Sequence, residues 1–125
     1  MKIAITGLSG FLGHFVAERL FERDVLMRAL VRDTSNTVHL KDYEEKITYI
    51  KGDLTDKEAI NECVKGSDIV IHMAYERNGT GFRDAAKQDY EKFLKVNILG
   101  SLELLNASKQ LGVKQFIFVS SCAVY

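Results

Sequence analysis

The stretch that decides the fold is Lys2-Ile3-Ala4-Ile5-Thr6-Gly7-Leu8-Ser9-Gly10-Phe11-Leu12-Gly13. Lys2 to Thr6 is a short β-branched run that ends at a glycine, the pattern of a buried strand. From Phe11 to Arg23, the residues Leu12, Phe15, Val16 and Leu20 recur at helical spacing and make one apolar face. Three glycines fill the joint, each with its own task. Gly7 supplies a tight turn out of the strand. Gly10 lets a pyrophosphate approach the backbone with no Cβ in the way, and Gly13 lets the helix pack closely on the sheet. Backbone N–H groups around Phe11 and Leu12 then face the phosphates, aided by the helix dipole. Gly7, Ser9, Gly10, Phe11, Leu12 and Gly13 are therefore candidate cofactor-binding residues. The spacing is GxxGxxG rather than GxGxxG, and no Lys-Ser/Thr closes it, which excludes a P-loop.

Outward from this joint, apolar runs and amphipathic stretches alternate. Val25–Val31 reads as a second strand, and Asp24 as the turn before it. Residues 34–43 read as a weak helix capped by Ser35, and Lys46–Lys51 as a third strand. Thr55-Asp56-Lys57-Glu58 has the form of a capping box, which predicts a helix from Asp56 to Lys65, stopped by Gly66. Ser67–Met73 is nearly all apolar and suits a strand buried on both faces. His72 within it reads as a core histidine. Asn78, Gly79 and Gly81 mark residues 75–82 as a loop. A long helix is expected from Asp84 to Leu111, ended by Gly112, with apolar residues on more than one face. One face suits the sheet and the other a partner. Residues 114–120 give a fifth strand. The expected fold is α/β: a doubly wound, Rossmann-type parallel sheet of five strands, order 3-2-1-4-5, with helices on both faces. Ligands of such sheets bind beyond the carboxyl ends of the strands.

Composition narrows the function classes. The 125 residues carry 17 basic and 17 acidic side chains and no formal net charge. That excludes a one-sided nucleic-acid clamp or an acidic solvating tail. Hydrophobic residues make up 46%, which argues against disorder, and the length suits one domain over 1–125. No apolar run approaches the ~18 residues of a membrane helix. Cys63 and Cys122 make neither a disulfide framework nor a metal motif, and a reduced, cytoplasmic protein is expected, with no metal site.

TGLSGFLG (6–13), ALVRD (29–33), GDLTD (52–56), VIHMAY (70–75), VNILGSLELLNASKQLGVKQFIFVSS (96–121) and AVY (123–125) follow one another in the order seen in the extended short-chain dehydrogenases/reductases. The chain resembles that superfamily's NAD-dependent epimerase/dehydratase group over essentially its whole length. The resemblance implies a nicotinamide dinucleotide as cofactor. It implies that Asp53 accepts a hydrogen bond from the adenine amino group, with Leu54 packing nearby. It also implies that Met73, Ala74 and Tyr75 pass beside the cofactor phosphates and ribose, Tyr75 replacing a residue that is often small. By the same resemblance Ser121 matches the catalytic Ser/Thr that hydrogen-bonds the reacting substrate oxygen. Asn97 matches the helix Asn of the active-site hydrogen-bond network.

The residue after strand two reads the ribose 2′ position: an acid favours NAD and an Arg favours the 2′-phosphate of NADP. Arg32 falls at that position, so NADP is preferred; a one-residue shift would make Asp33 the reader and favour NAD. The resemblance also implies an acid/base Tyr with a Lys four residues on, the Lys lowering the tyrosine pKa. Tyr43, Tyr49, Tyr75 and Tyr90 have Ile47, Asp53, Gly79 and Leu94 there, and Tyr125 is the last residue. The expectation is therefore the cofactor-binding part of a longer epimerase, dehydratase or reductase that transfers hydride to or from a hydroxyl/carbonyl substrate. Homodimerisation through the helix 84–111 is expected from the same resemblance. The alternatives are a non-catalytic NADP-sensing regulator and an interaction module with a vestigial site.

Overall fold

The computed structural model describes residues 1–76 and 90–120. Five parallel strands form one sheet in the order β3-β2-β1-β4-β5. They are β1 (Lys2–Thr6), β2 (Leu26–Val31), β3 (Ile47–Lys51), β4 (Ile69–His72) and β5 (Gln115–Phe118). Thr6 stands beside Leu30 on one side and His72 on the other, so the ends of β2 and β4 flank the end of β1. Strand alternation divides the core in two. Ala4, Leu30, Ile50 and Val70 face α2 (Lys57–Val64) and a second helix, Gly100–Gln110. Ile3, Ile5, Met27, Ala29 and Val31 face α1 (Phe11–Phe21) and the 3-10 segment Val38–Lys46. The inner strands β1 and β4 are covered on both faces, which is why they read as nearly continuous apolar runs, while β5 at the edge is largely exposed.

The helix expected over 84–111 is not uniform. Its first residues lie outside the described ones. α3 (Tyr90–Leu94) passes through a π-helical segment, Lys95–Leu99, into α4 (Gly100–Gln110). Gly100, Leu104, Ala107 and Ser108 of α4 are buried against α2 and the sheet. Ile98, Leu99, Leu102 and Leu105 are exposed.

Several local expectations are corrected. The weak helix at 34–43 is instead the 3-10 segment, four residues further on. Ser35 caps no helix: its hydroxyl accepts from the Arg32 amide at 3.0 Å and its own amide donates to the Arg32 carbonyl, closing a turn. α1 ends at Phe21 rather than Arg23. α2 is capped by Asp56, whose carboxylate accepts from the Ala59 amide at 3.0 Å, and not by Thr55. The Thr55 hydroxyl is drawn away by the Asp53 carboxylate. Replacing Asp56 by Ala is expected to cost about 1 kcal/mol, read as a lowered urea midpoint, while Thr55→Ala costs α2 nothing at its cap.

Candidate cofactor-binding cleft

The ends of β1, β2, β3 and β4 open into a cleft of about 620 Å³. Of the predicted residues, Gly7, Ser9, Gly10, Phe11, Leu12, Arg32, Asp53, Leu54, Met73, Ala74 and Tyr75 all line it. Gly13 does not. It lies beneath, where an added Cβ would stand 2.0 Å from the Leu8 carbonyl oxygen. Its task is the close seating of α1, as the spacing implied.

The floor of the cleft is built from backbone. Gly7 adopts φ +79°, and a Cβ there would meet the Ala74 amide nitrogen at 2.7 Å. The turn therefore needs glycine for both conformation and space. Gly10 differs: a Cβ would approach only the Gly7 carbonyl, at 3.2 Å. Its outer side is open, so an anion can reach the main chain there. No side chain caps the start of α1, and no acidic residue occupies its first turn. The helix leaves its first amides to whatever enters the cleft, the arrangement that holds phosphate. These features fit a dinucleotide pyrophosphate.

The end of the cleft beyond β2 and β3 is charged. Arg32, Asp53, Glu76 and Lys92 all line it. The Arg32 guanidinium bonds the Glu76 carboxylate at 3.0 Å. The Asp53 carboxylate is already engaged by Thr55. Its Oδ1 accepts from the Thr55 amide at 2.7 Å and from the Thr55 hydroxyl. The Thr55 hydroxyl bond, helped by the charges of Arg32 and Lys92, holds the Asp53 carboxyl below its usual range. Leu54 is buried under Gly100. Tyr75 packs edge-on against Phe93, with ring centres 6.0 Å apart.

Behind the cleft lies a polar chain. The Ala74 amide donates to the Thr6 hydroxyl, which stands 2.5 Å from His72 Nδ1. His72 Nε2 lies 2.7 Å from the Ser101 hydroxyl, which itself donates to the Asn97 carbonyl at 2.6 Å. Counting protons fixes the direction. Ser101 has one hydrogen and gives it to Asn97, so His72 must donate from Nε2 and accept at Nδ1 from Thr6. Burial pushes the His72 pKa down to about 4, so the ring is neutral. His72 is thus a satisfied core histidine. Asn97 sits in the π segment with its side chain turned to Glu76: it accepts from the Glu76 amide at 2.8 Å and donates to the Glu76 carbonyl at 3.0 Å. Ser121 and its relation to Asn97 lie outside the described residues.

The sequence reading missed Leu30, Ser35, Glu76, Lys92 and Val96 as lining residues. Thr6 and Gly52, the strand-end neighbours of Gly7 and Asp53, line the cleft as ligand binding beyond the carboxyl ends of the strands leads one to expect. Glu76 and Lys92 carried no such signal, since they come from a loop and from the polar side of a helix.

A family model described as the NAD dependent epimerase/dehydratase family matches residues 3–125. The chain is 33% identical to a bifunctional dihydroflavonol 4-reductase/flavanone 4-reductase of Malus domestica, over 96% of this chain and 35% of that one. It is 32% identical to a dTDP-glucose 4,6-dehydratase of Mycobacterium tuberculosis, over 91% and 34%. A solved structure of the UDP-glucose 4-epimerase of Thermus thermophilus in complex with NAD superposes with TM-score 0.77 and 27% identity, over 97% of this chain and 38% of that one. The chain thus spans about a third of the length of these relatives.

Proposed function

This chain belongs to the NAD dependent epimerase/dehydratase family, and from that premise and the form of its cleft we propose that it is the NAD(P)-binding part of an epimerase-, dehydratase- or reductase-type oxidoreductase. The observation that carries the reading is the uncapped start of α1 beside the open side of Gly10, at the carboxyl ends of β1, β2 and β4. Gly7, Ser9, Gly10, Phe11 and Leu12 would hold the pyrophosphate. Arg32 would hold the ribose 2′ end. Asp53 and Leu54 would flank adenine, and Met73, Ala74 and Tyr75 would line the path towards the nicotinamide. The bound dinucleotide would supply a hydride donor or acceptor. Ser121 would bind the substrate oxygen. Asn97 would act from behind, by fixing the main chain at Glu76. No Tyr-x-x-x-Lys lies within residues 1–125, so proton transfer would fall to residues elsewhere in the protein.

NADP is the preferred cofactor, because a guanidinium at the end of β2 matches a phosphate in charge and in paired donors. In the protein carrying this sequence, a fluorescence titration is expected to show NADPH binding in preference to NADH. Arg32→Ala should weaken NADPH by about tenfold or more while sparing NADH, since a charge-assisted contact is lost from one ligand only. Lack of binding by the folded protein would refute the cofactor reading; an unchanged NADPH/NADH ratio in Arg32→Ala would refute the NADP preference. The protein would pair as a homodimer through the exposed face at Ile98, Leu99, Leu102 and Leu105. The buried, free Cys63 suits a reducing, cytoplasmic setting. Among the described residues no helix is long and apolar enough to cross a membrane.

A further inference from the structure

We propose that Glu76 is a specificity-determining residue for the dinucleotide: its carboxylate occupies Arg32 and competes for it with a ribose 2′-phosphate. The inference rests on the reading of the cleft as a dinucleotide site, and goes beyond it in naming the group that opposes the phosphate.

Arg32 follows β2 and Glu76 follows β4, on opposite sides of the end of β1. Their 3.0 Å ion pair therefore reaches across the adenosine end of the cleft. The two partners are not equally placed. The Arg32 side chain is 56% exposed and can swing, whereas that of Glu76 is only 15% exposed. The Glu76 main chain is also held at both its amide and its carbonyl by the Asn97 side chain. Glu76 is thus a fixed resident anion and Arg32 its mobile partner.

The ion pair sets the direction of the effect. Among the described residues, Arg32 and Lys92 bring positive charge to this end of the cleft, and Asp53 and Glu76 bring negative charge. A 2′-phosphate entering here must draw Arg32 from Glu76 and then lie near that carboxylate. A 2′-hydroxyl need do neither. Glu76 therefore holds NADP affinity below what Arg32 alone would give and leaves NAD little affected. On this view the reader of the 2′ position is a pair of residues from two strands.

The test is Glu76→Gln, which keeps the side-chain shape and leaves the main chain free to keep both bonds to Asn97. NADPH affinity is expected to rise about tenfold and NADH affinity to change less than about twofold, because one acceptor is lost to Arg32 and one negative charge leaves the phosphate's surroundings. The gain should shrink when Arg32→Ala is combined with it. Glu76→Ala should move NADPH in the same direction, and thermal melting shows whether each variant is folded. Unchanged or weakened NADPH binding in folded Glu76→Gln and Glu76→Ala would overturn the role of Glu76 while leaving the cofactor site standing. A folded parent protein that binds neither dinucleotide would overturn both readings.

Discussion

Gly13→Ala is expected to lower the melting temperature by more than about 10 °C, on a cost of about 3 kcal/mol for overpacking that no side-chain rotation relieves. The added methyl would stand 2.0 Å from the Leu8 carbonyl oxygen and 2.4 Å from its carbon, both backbone atoms. Relief requires α1 to slide away from the turn that follows β1. Leu8 and Ala17 are both fully buried at that seam, so the slide opens the core under α1. Gly10→Ala is the informative partner. Its methyl meets only the Gly7 carbonyl, at 3.2 Å, and points to the open cleft. The Gly10 backbone, at φ −83° and ψ 179°, accommodates alanine. That variant should melt within a few degrees of the parent and lose most of its dinucleotide affinity. Equal melting temperatures for the two variants would refute the separate tasks assigned to the two glycines.

Below pH 6.5 the protein is expected to lose stability to a single buried ring. His72 has a folded pKa of about 4 against an ordinary value of 6.5, because burial disfavours its charged form. The unfolded chain therefore takes up a proton first. The stability from a neutral His72 is complete above pH 6.5 and drains away as the pH falls towards 4. The total over that window is about 3 kcal/mol. Among the described residues, those against the ring are Thr6, Ser101, Phe116 and Phe118, with no carboxylate to support a charge. Urea midpoints measured from pH 8 to pH 4 should show the slope, and His72→Leu should remove it, lowering stability at pH 8 with the two proteins converging as the pH falls towards 4. A parallel slope in that variant would assign the loss to other groups. Asp53 and Asp68 contribute only at lower pH, because hydrogen bonds from Thr55 and from the Lys2 amide, respectively, already hold their carboxyls below the ordinary range.

The strands and their order were legible because each buried strand carries its own apolar run, and because parallel connections of one hand leave few topologies. The floor of the cleft was legible for a related reason. Gly7, through its positive φ, and Gly13, through its closeness to Leu8, answer local backbone demands, which sequence states directly. The charged end was not legible. Whether Asp53 is free depends on where the Thr55 hydroxyl turns: it donates to Asp53, and the Asp56 carboxylate takes the helix cap in its place. The Arg32–Glu76 pair joins residues 44 positions apart across a strand, and nothing local announces it. The helix at 34–43 failed because Ser35 closes a turn on Arg32, which leaves the chain to start its 3-10 segment only at Val38.

The π segment at Lys95–Leu99 can be read as a change of phase. An α-helix advances about 100° per residue, like the hand of a clock, and a turn closed by one more residue than usual makes the hand late by about that angle. α4 is set by the sheet, through Gly100, Leu104 and Ala107. The residues before the segment are set by the cleft, through Lys92 on its wall and Phe93 against Tyr75. No single phase need satisfy both, and the extra residue lets each half keep its own time. Loss of one residue there would act less as a shortening than as a rotation, turning the cleft-facing half away from the site while the sheet-facing half stayed in register.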